Sequence, residues 1–336
     1  MAIMEKTNKI KKIFNGFRYF WRLHQSFKSA AVDFQPDIVH ANDLDTLLAG
    51  YLIKRKTGAK LLYDAHEIWT EQSVTMPKTL SFVAKILEKW LLGKIDGFIT
   101  VNSSLCQKIE ELHHIKIKVP STIIHNYPEE ALALKRNPWP KEIKGKKIIL
   151  YQGRYAPDRG LEELVLAAEY LDKNNMVVLR GTGSDVIKKK LEQIVQKANL
   201  AKKVIFLPPV QMQEMVNSAK GADLGIIFYR PTNLNNLYAS PNKLYEYTLA
   251  GLALGVSDLP ELKSFVKQNN NGLVFKSLNP KKIAGQINEL LKDHKKLHEL
   301  KTNSRQCAAN FSWQSEEKIL VETYKKLINK ERSENN

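Results

Sequence analysis

One stretch in the second half of the chain, Ser240-Pro-Asn-Lys-Leu-Tyr-Glu-Tyr-Thr-Leu-Ala-Gly251, combines a helix start, two charges at a fixed offset and a helix stop. Pro241 suits the beginning of a helix, where its fixed φ fits and its missing N–H costs little. Gly251 can close the helix in the left-handed region. First-turn amides lack intrahelical acceptors and favour an anion, and Lys243 adds a cation beside them. Glu246, one turn on, offers a carboxylate that can accept from two vicinal hydroxyls, as on a ribose. Together these suit a nucleoside diphosphate, although the same stretch also reads as an ordinary amphipathic helix. Two more loops carry matching chemistry. Gly153-Arg154 and Arg159-Gly160 place two guanidinium groups around a glycine-flanked turn, and such forks match phosphate oxygens bidentately. Gly181-Thr-Gly183 permits close backbone approach. Val186 stands where the third glycine of G-x-G-x-x-G would be, which disfavours a nicotinamide dinucleotide.

The first half offers His40, Asn42, Asp43, Asp64, His66 and Glu67. Imidazoles and carboxylates in this position can act as acid, base or partner of a sugar hydroxyl, or His40 and His66 can be hydrogen-bonded structural histidines. No spacing such as H-E-x-x-H occurs, so no metal is expected. The pair His113-His114 ends a polar helix and reads as solvated. Neither a G-x-S-x-G elbow nor a Walker loop is present.

The elements that must hold these groups alternate between strand and helix. Ile38-Val39, Lys60–Asp64, Gly97–Val101 and Thr122–Asn126 read as strands, with helices over Leu44–Thr57 (stopping at Gly58), 80–93 and from Asn102-Ser103-Ser104 onward. After residues 127–147, rich in Pro, Lys and Glu, the alternation restarts. Strands follow at Lys147–Tyr151, Met176–Leu179, Val204–Leu207, Leu224–Phe228, Ala253–Val256 and Leu273–Phe275, with helices at 161–171, 185–198 and 211–220, and a last helix from Trp313. Buried strands separated by helices predict parallel sheets covered on both faces, with sites at the strands' carboxyl ends. The expected division is 1–130, a linker at 131–146, a second domain at 147–312, and a terminal helix, 313–336, packing back on the first domain.

The 336 residues hold 52 Lys and Arg against 35 Asp and Glu, a net charge of +17. Such a balance seeks polyanions: phosphorylated ligands, anionic lipid or nucleic acid. Residues 1–32 concentrate seven cations, and Ile10, Ile13, Phe14, Phe17 and Trp21 fall at helical spacing. That pattern fits a basic amphipathic helix lying on an anionic membrane, or one packing on the protein's own core. Nucleic acid is disfavoured because aromatics do not interleave with the cations elsewhere. No apolar run is long enough to span a bilayer, no signal peptide is visible, and the two distant cysteines, Cys106 and Cys307, point to a reducing cytoplasm.

The ordered set Asp37-Ile-Val-His-Ala-Asn-Asp43, Tyr63-Asp-Ala-His-Glu67, Ile149-Leu-Tyr-Gln-Gly-Arg154, Arg159-Gly160, Gly181-Thr-Gly183, Phe206-Leu-Pro-Pro-Val210, Ala222-Asp-Leu-Gly225, Ser240–Glu246 and Ser257-Asp-Leu-Pro-Glu261 resembles retaining glycosyltransferases of the GT-B fold, family 4 type, from surface-polysaccharide clusters. The resemblance covers about residues 33–328. It implies two Rossmann-like doubly wound α/β domains facing a cleft, the first lacking the family's initial strands, either as a natural short form or through loss of about 60–80 residues of a usual domain. It implies that Gly153, Arg154 and Arg159 hold the donor diphosphate, that Gly183 and Val210 line the nucleotide pocket, that Asn242, Lys243 and Leu244 meet phosphate, and that Glu246 binds ribose. His40, Asp43 and His66 would be the catalytic groups facing donor sugar and acceptor. The implied ligands are a UDP- or GDP-linked sugar as substrate, with no cofactor and no metal, and a lipid-linked saccharide acceptor at the inner membrane face. Two departures stand out: Tyr238 occupies the place of the first acid in the family's E-x7-E pair, and Asn42 that of a second histidine. They leave open a silent, nucleotide-binding relative, and the same fold also serves nucleotide-sugar epimerases.

Overall fold

The structure is a computed structural model that describes residues 21–71, 77–129 and 138–334. Most of the basic amphipathic helix expected within residues 1–32 lies outside the described residues, as does the 131–137 part of the expected linker. Residues 21–34 are helical and form α1. The chain divides into two compact units, one of Met1–His125 with Lys318–Asn336, the other of Asn126–Glu317.

In the first unit, β1 (Ile38–Asn42), β2 (Lys60–Ala65), β3 (Gly97–Thr100) and β4 (Ser121–Ile123) form a parallel sheet in that spatial order. Helices α2 (Asp43–Thr57), α3 (Lys78–Leu92) and α4 (Ser103–His113) connect them. The near-continuous apolar runs of β2 and β3 are what a sheet buried on both faces requires. Gly58 closes α2 at φ +82°, its N–H donating to Lys54 O, and the Asn102 side chain caps α4 by accepting from Leu105 N. The late part of the final helix, α13 below, belongs to this unit: Thr323 Oγ1 lies 3.2 Å from Thr122 Oγ1, and a Cβ on Gly97 would meet Leu327 at 3.2 Å.

His113 corrects the sequence reading. It is buried, not solvated, and its Nε2 lies 2.9 Å from Glu88 Oε2. Tyr63 donates to the other oxygen, Oε1, at 2.8 Å. A fully buried carboxylate with two partners explains why the last turn of α4 turns a histidine inward. Only His114, in the left-handed region at φ +51°, ends the helix on the surface.

The second unit contains β5 (Lys147–Gln152), β6 (Asn175–Arg180), β7 (Val204–Leu207), β8 (Leu224–Ile227), β9 (Ala253–Ser257) and β10 (Gly272–Phe275), all parallel in the order β10-β9-β8-β5-β6-β7. Its helices are α5 (Leu161–Ala167), α6 (Asp185–Lys197), α7 (Met215–Ala219), α8 (Leu234–Leu237), α9 (Lys243–Leu249), α10 (Pro260–Asn269), α11 (Pro280–Lys292) and α12 (His294–Ala308), together with the first turn of α13 (Trp313–Glu334), whose remainder from Lys318 on belongs to the first unit. The order reverses between β5 and β8, and open α/β sheets place their ligands at such a switch point. Both sheet faces carry a core, one built on Leu164, Leu179 and Ile287, the other on Leu150, Tyr247 and Leu262. The helix expected over 211–220 is a 3-10 turn, Met212–Glu214, followed by the short α7. Helix α8 was not foreseen; Asn233 starts it by accepting from Asn236 N. Tyr247 of α9 packs where a Cβ on Gly225 would fall 2.3 Å from its ring, and its hydroxyl accepts from Gln152 N at 2.6 Å. This contact ties α9 to the end of β5.

Candidate active site

The loops after β5 and β6 are zipped together by backbone. Gly153 N donates to Arg180 O and Tyr155 N to Thr182 O, each at 2.9 Å. A Cβ on Gly181 would sit 1.9 Å from Gly153 O, and one on Gly183 2.5 Å from Tyr155 O. Glycine is needed at both because two main chains occupy the space of side chains. Beside this seam opens a cavity of about 680 Å³ lined by Gly153, Arg154, Gly183 and Val210, with Gln152, Arg180, Pro209 and Met215 among its other walls.

Arg180 was not singled out from sequence. Its guanidinium is buried and donates to Gln152 Oε1 (3.2 Å), Ser218 O (2.5 Å) and Pro138 O (2.8 Å). It also lies over the Trp139 ring, 4.7 Å from the centroid. Burial lowers its pKa to about 10, so it stays charged at neutral pH and floors the cavity with a fixed cation. The available signal was an arginine continuing the apolar run of β6.

Lys243 reaches this seam from α9. A Cβ on Gly153 would be 2.8 Å from its Cε and Nζ, and Nζ lies 5.3 Å from the Tyr151 ring centroid. Burial pushes the amine down to about 8, with Glu246 pulling the other way. Glu246 is only 7% exposed, and its Oε2 has no hydrogen-bond partner among the described residues. Burial raises its pKa, and Lys243 partly offsets this. A half-buried cation and a buried carboxylate with a spare acceptor are thus held ready at costs that a ligand can recover. Arg159 is fixed by Asp158 Oδ2 (2.5 Å) and Asn236 Oδ1 (3.2 Å) and stacks 3.9 Å from the Tyr229 ring centroid. Arg154, by contrast, is exposed, with its carbonyl accepting from the Tyr151 hydroxyl. The structure therefore gathers Gly153, Arg154, Gly183 and Val210 around the cavity and lays Lys243 across Gly153. Leu244 differs: its side chain is core and its N–H donates to Pro241 O at 2.9 Å. Asn242 is exposed just before α9.

In the first unit, adjacent strand ends assemble a histidine–carboxylate cluster. Asp64 Oδ2 lies 3.1 Å from His40 Nε2 and 3.2 Å from His66 Nε2. Burial alone would raise Asp64, but the two imidazoles outweigh it and hold the carboxyl at about 2. His66 is in turn raised by its bond to Asp64. Asp43, in the left-handed region at φ +56°, accepts from His66 N at 3.1 Å and is pushed up by burial to about 6. His40 Nδ1 lies 2.7 Å from the hydroxyl of Tyr324, a partner contributed by α13 that sequence order hides. The three residues expected to be catalytic are thus neighbours: Asp64 joins His40 to His66, and Asp43 holds the backbone N–H of His66. Asp43 is poised to exchange a proton near neutral pH. Among the described residues, no group of three His, Cys, Asp or Glu side chains could hold a metal ion.

Comparison with known proteins follows the same division. The family described as "Glycosyltransferase Family 4" matches residues 7–126, and that described as "Glycosyl transferases group 1" matches residues 135–307. An uncharacterised glycosyltransferase of Methanocaldococcus jannaschii is 26% identical over 66% of this chain, which spans 60% of that relative's length. Among solved structures, Anabaena HepE in complex with UDP superposes with a TM-score of 0.73 at 17% identity, covering 91% of this chain and 82% of HepE. Sucrose-phosphate synthase of Thermosynechococcus elongatus gives 0.74 at 18% identity, covering 93% of this chain and 79% of the synthase. Both are likenesses of fold, and the fold is that of two Rossmann-like parallel-sheet domains, GT-B. The chain belongs to the glycosyl transferases group 1 family, preceded by a family 4 segment that carries the histidine–carboxylate cluster.

Proposed function

We propose that the chain moves a sugar from a nucleotide-diphosphate-sugar donor to a hydroxyl with retention, as a metal-independent hexosyltransferase. The observation that carries this reading is Lys243 lying across the glycine seam, backed by Glu246 with an unused buried carboxylate oxygen. Arg154, Arg159 and Lys243 supply the positive charge a departing diphosphate needs, a preorganised electrostatic role. Glu246 accepts from the ribose hydroxyls. The bond from the sugar's anomeric carbon to the phosphate oxygen breaks, the bond to the acceptor oxygen forms on the same face, and the acceptor proton passes to the leaving phosphate. His40, Asp43 and His66 orient the hydroxyls of sugar and acceptor. HepE, solved also with UDP-glucose, supports a UDP-linked donor. A lipid-linked saccharide acceptor, an anionic membrane surface on the cytoplasmic side and a place in surface-polysaccharide assembly complete the reading.

Calorimetric titration of the full chain with UDP and with GDP tests it. Micromolar binding of one nucleotide, weakened at least tenfold in both Arg154→Ala and Glu246→Ala, is expected. Absence of binding to either nucleotide by the folded wild type would overturn it. The rival is a nucleotide-binding relative without turnover, favoured by Tyr238 at the position of the family's first acid. It predicts binding but no release of UDP from a UDP-sugar in the presence of acceptor.

A further inference from the structure

Helix α3 is amphipathic in the wrong sense for a helix that merely covers a sheet. Its inward residues include Ala84, Leu91, Leu92 and the charged Glu88, whereas Leu80, Phe82, Val83, Ile86 and Trp90 face solvent. Phe82 is 65% exposed and Ile86 55%. Val83, Ile86 and Trp90 follow one another at spacings of three and four, so they form one outward stripe rather than scattered surface residues. Glu88, the only acid on the helix, is consumed inside by Tyr63 and His113. The charges left outside are cationic: Lys89 and Lys94 are exposed, and Lys85 is neutralised by Glu71 at 2.7 Å. Trp90 is braced edge-on by Tyr51, with ring centroids 4.9 Å apart, which fixes its outward pose.

We propose that this face of α3 is a docking surface for an anionic phospholipid bilayer, its apolar stripe entering the interfacial region while Lys89 and Lys94 meet headgroup phosphates. An apolar face rimmed by lysines and stripped of exposed acid is complementary to such a surface and to few soluble ones. A second copy of this chain is opposed by like charge on both partners. The inference deepens the membrane part of the proposed function and stands or falls apart from the donor site.

The test is flotation of the full-length protein with vesicles of phosphatidylglycerol and phosphatidylcholine, and with phosphatidylcholine alone. The double variant Phe82→Ser/Ile86→Ser and the variant Lys89→Gln/Lys94→Gln are compared with wild type. Wild type is expected to float with the anionic vesicles only. The apolar variant should bind at least tenfold more weakly, and the lysine variant should lose several-fold and become less salt-sensitive. UDP binding should be unchanged in both, which separates this surface from the donor site and shows that the variants are folded. Undiminished flotation of the apolar variant would overturn the proposal and place membrane contact elsewhere. So would a wild-type dimer in light scattering that the same substitutions dissociate without any vesicle binding.

Discussion

With the diphosphate of the proposed donor on Lys243, nucleotide binding is expected to be a proton-linked event. Its amine is held near pKa 8 because it is buried against Gly153 and Tyr151 with only Glu246 as an opposing charge. A bound diphosphate would return it toward the ordinary lysine value of about 10.4. Binding is then expected to take up ~0.5 proton at pH 8 and ~0.1 at pH 7 from this residue, as linkage requires. Titrating UDP in two buffers of different ionisation heat at each pH measures the uptake directly. The Lys243→Gln variant should lose the increase between pH 7 and pH 8 together with most of its affinity. Tight binding with no rise in uptake at pH 8, or a rise that persists in Lys243→Gln, would refute the assignment of phosphate to this amine. The same desolvation acts on the unliganded fold. A depressed lysine pKa contributes stability above the unfolded value of about 10.4, and that contribution is lost as pH falls through about 8. At neutral pH the charged amine therefore costs the free protein on the order of 3 kcal/mol at most.

Replacing that amine by an apolar side chain, Lys243→Met, should raise the Tm of the free protein at pH 7 by several degrees while abolishing UDP binding, read by differential scanning fluorimetry with and without nucleotide. Gly181→Ala puts a Cβ 1.9 Å from Gly153 O; the loops must part, with a loss of ~2 kcal/mol or more in denaturant unfolding and at least tenfold in nucleotide affinity. Asp64, held at about 2, contributes stability present above the unfolded value of about 3.9 and lost as pH falls through 2. Asp64→Asn should therefore cost ~2 kcal/mol at pH 7 and flatten the acid limb of the stability profile, measured by urea melts between pH 2 and 7. Glu88→Ala leaves Tyr63 and His113 buried without their shared partner and should cost ~3 kcal/mol, with Glu88→Gln milder.

The parallel sheets were legible because the middles of β2, β5 and β6 (Leu61–Tyr63, Ile148–Tyr151 and Met176–Leu179) are continuous apolar runs, a pattern that suits a doubly covered strand. The glycines at 153, 181 and 183 were legible as places of close approach, though what approaches them, the Lys243 side chain at Gly153, the Gly153 backbone at Gly181 and the Tyr155 backbone at Gly183, depends on strand order. What stayed hidden has a common physical origin. His40 meets Tyr324 and Arg180 meets Pro138 and Ser218 through long-range packing, which leaves no periodic trace in local sequence. His113 was misread because a polar helix end is the usual home of a solvated histidine, and its partner Glu88 sits on another helix. That the Leu244 side chain belongs to the core was likewise not legible from its neighbours in the sequence.

The allotment of Lys318–Asn336 to the first unit bears on how the chain is made. The second unit, Asn126–Glu317, is contiguous and can complete itself as soon as it leaves the ribosome. The first unit is emitted earlier yet waits for the last residues of the chain to supply Thr323, Tyr324 and Leu327. Until then Gly97 lacks its covering leucine and His40 its tyrosine. The half-chain that emerges first is thus the last to mature. Stalling or clipping ahead of residue 318 would release a protein whose second unit is finished while the cluster of His40, Asp64 and His66 is not.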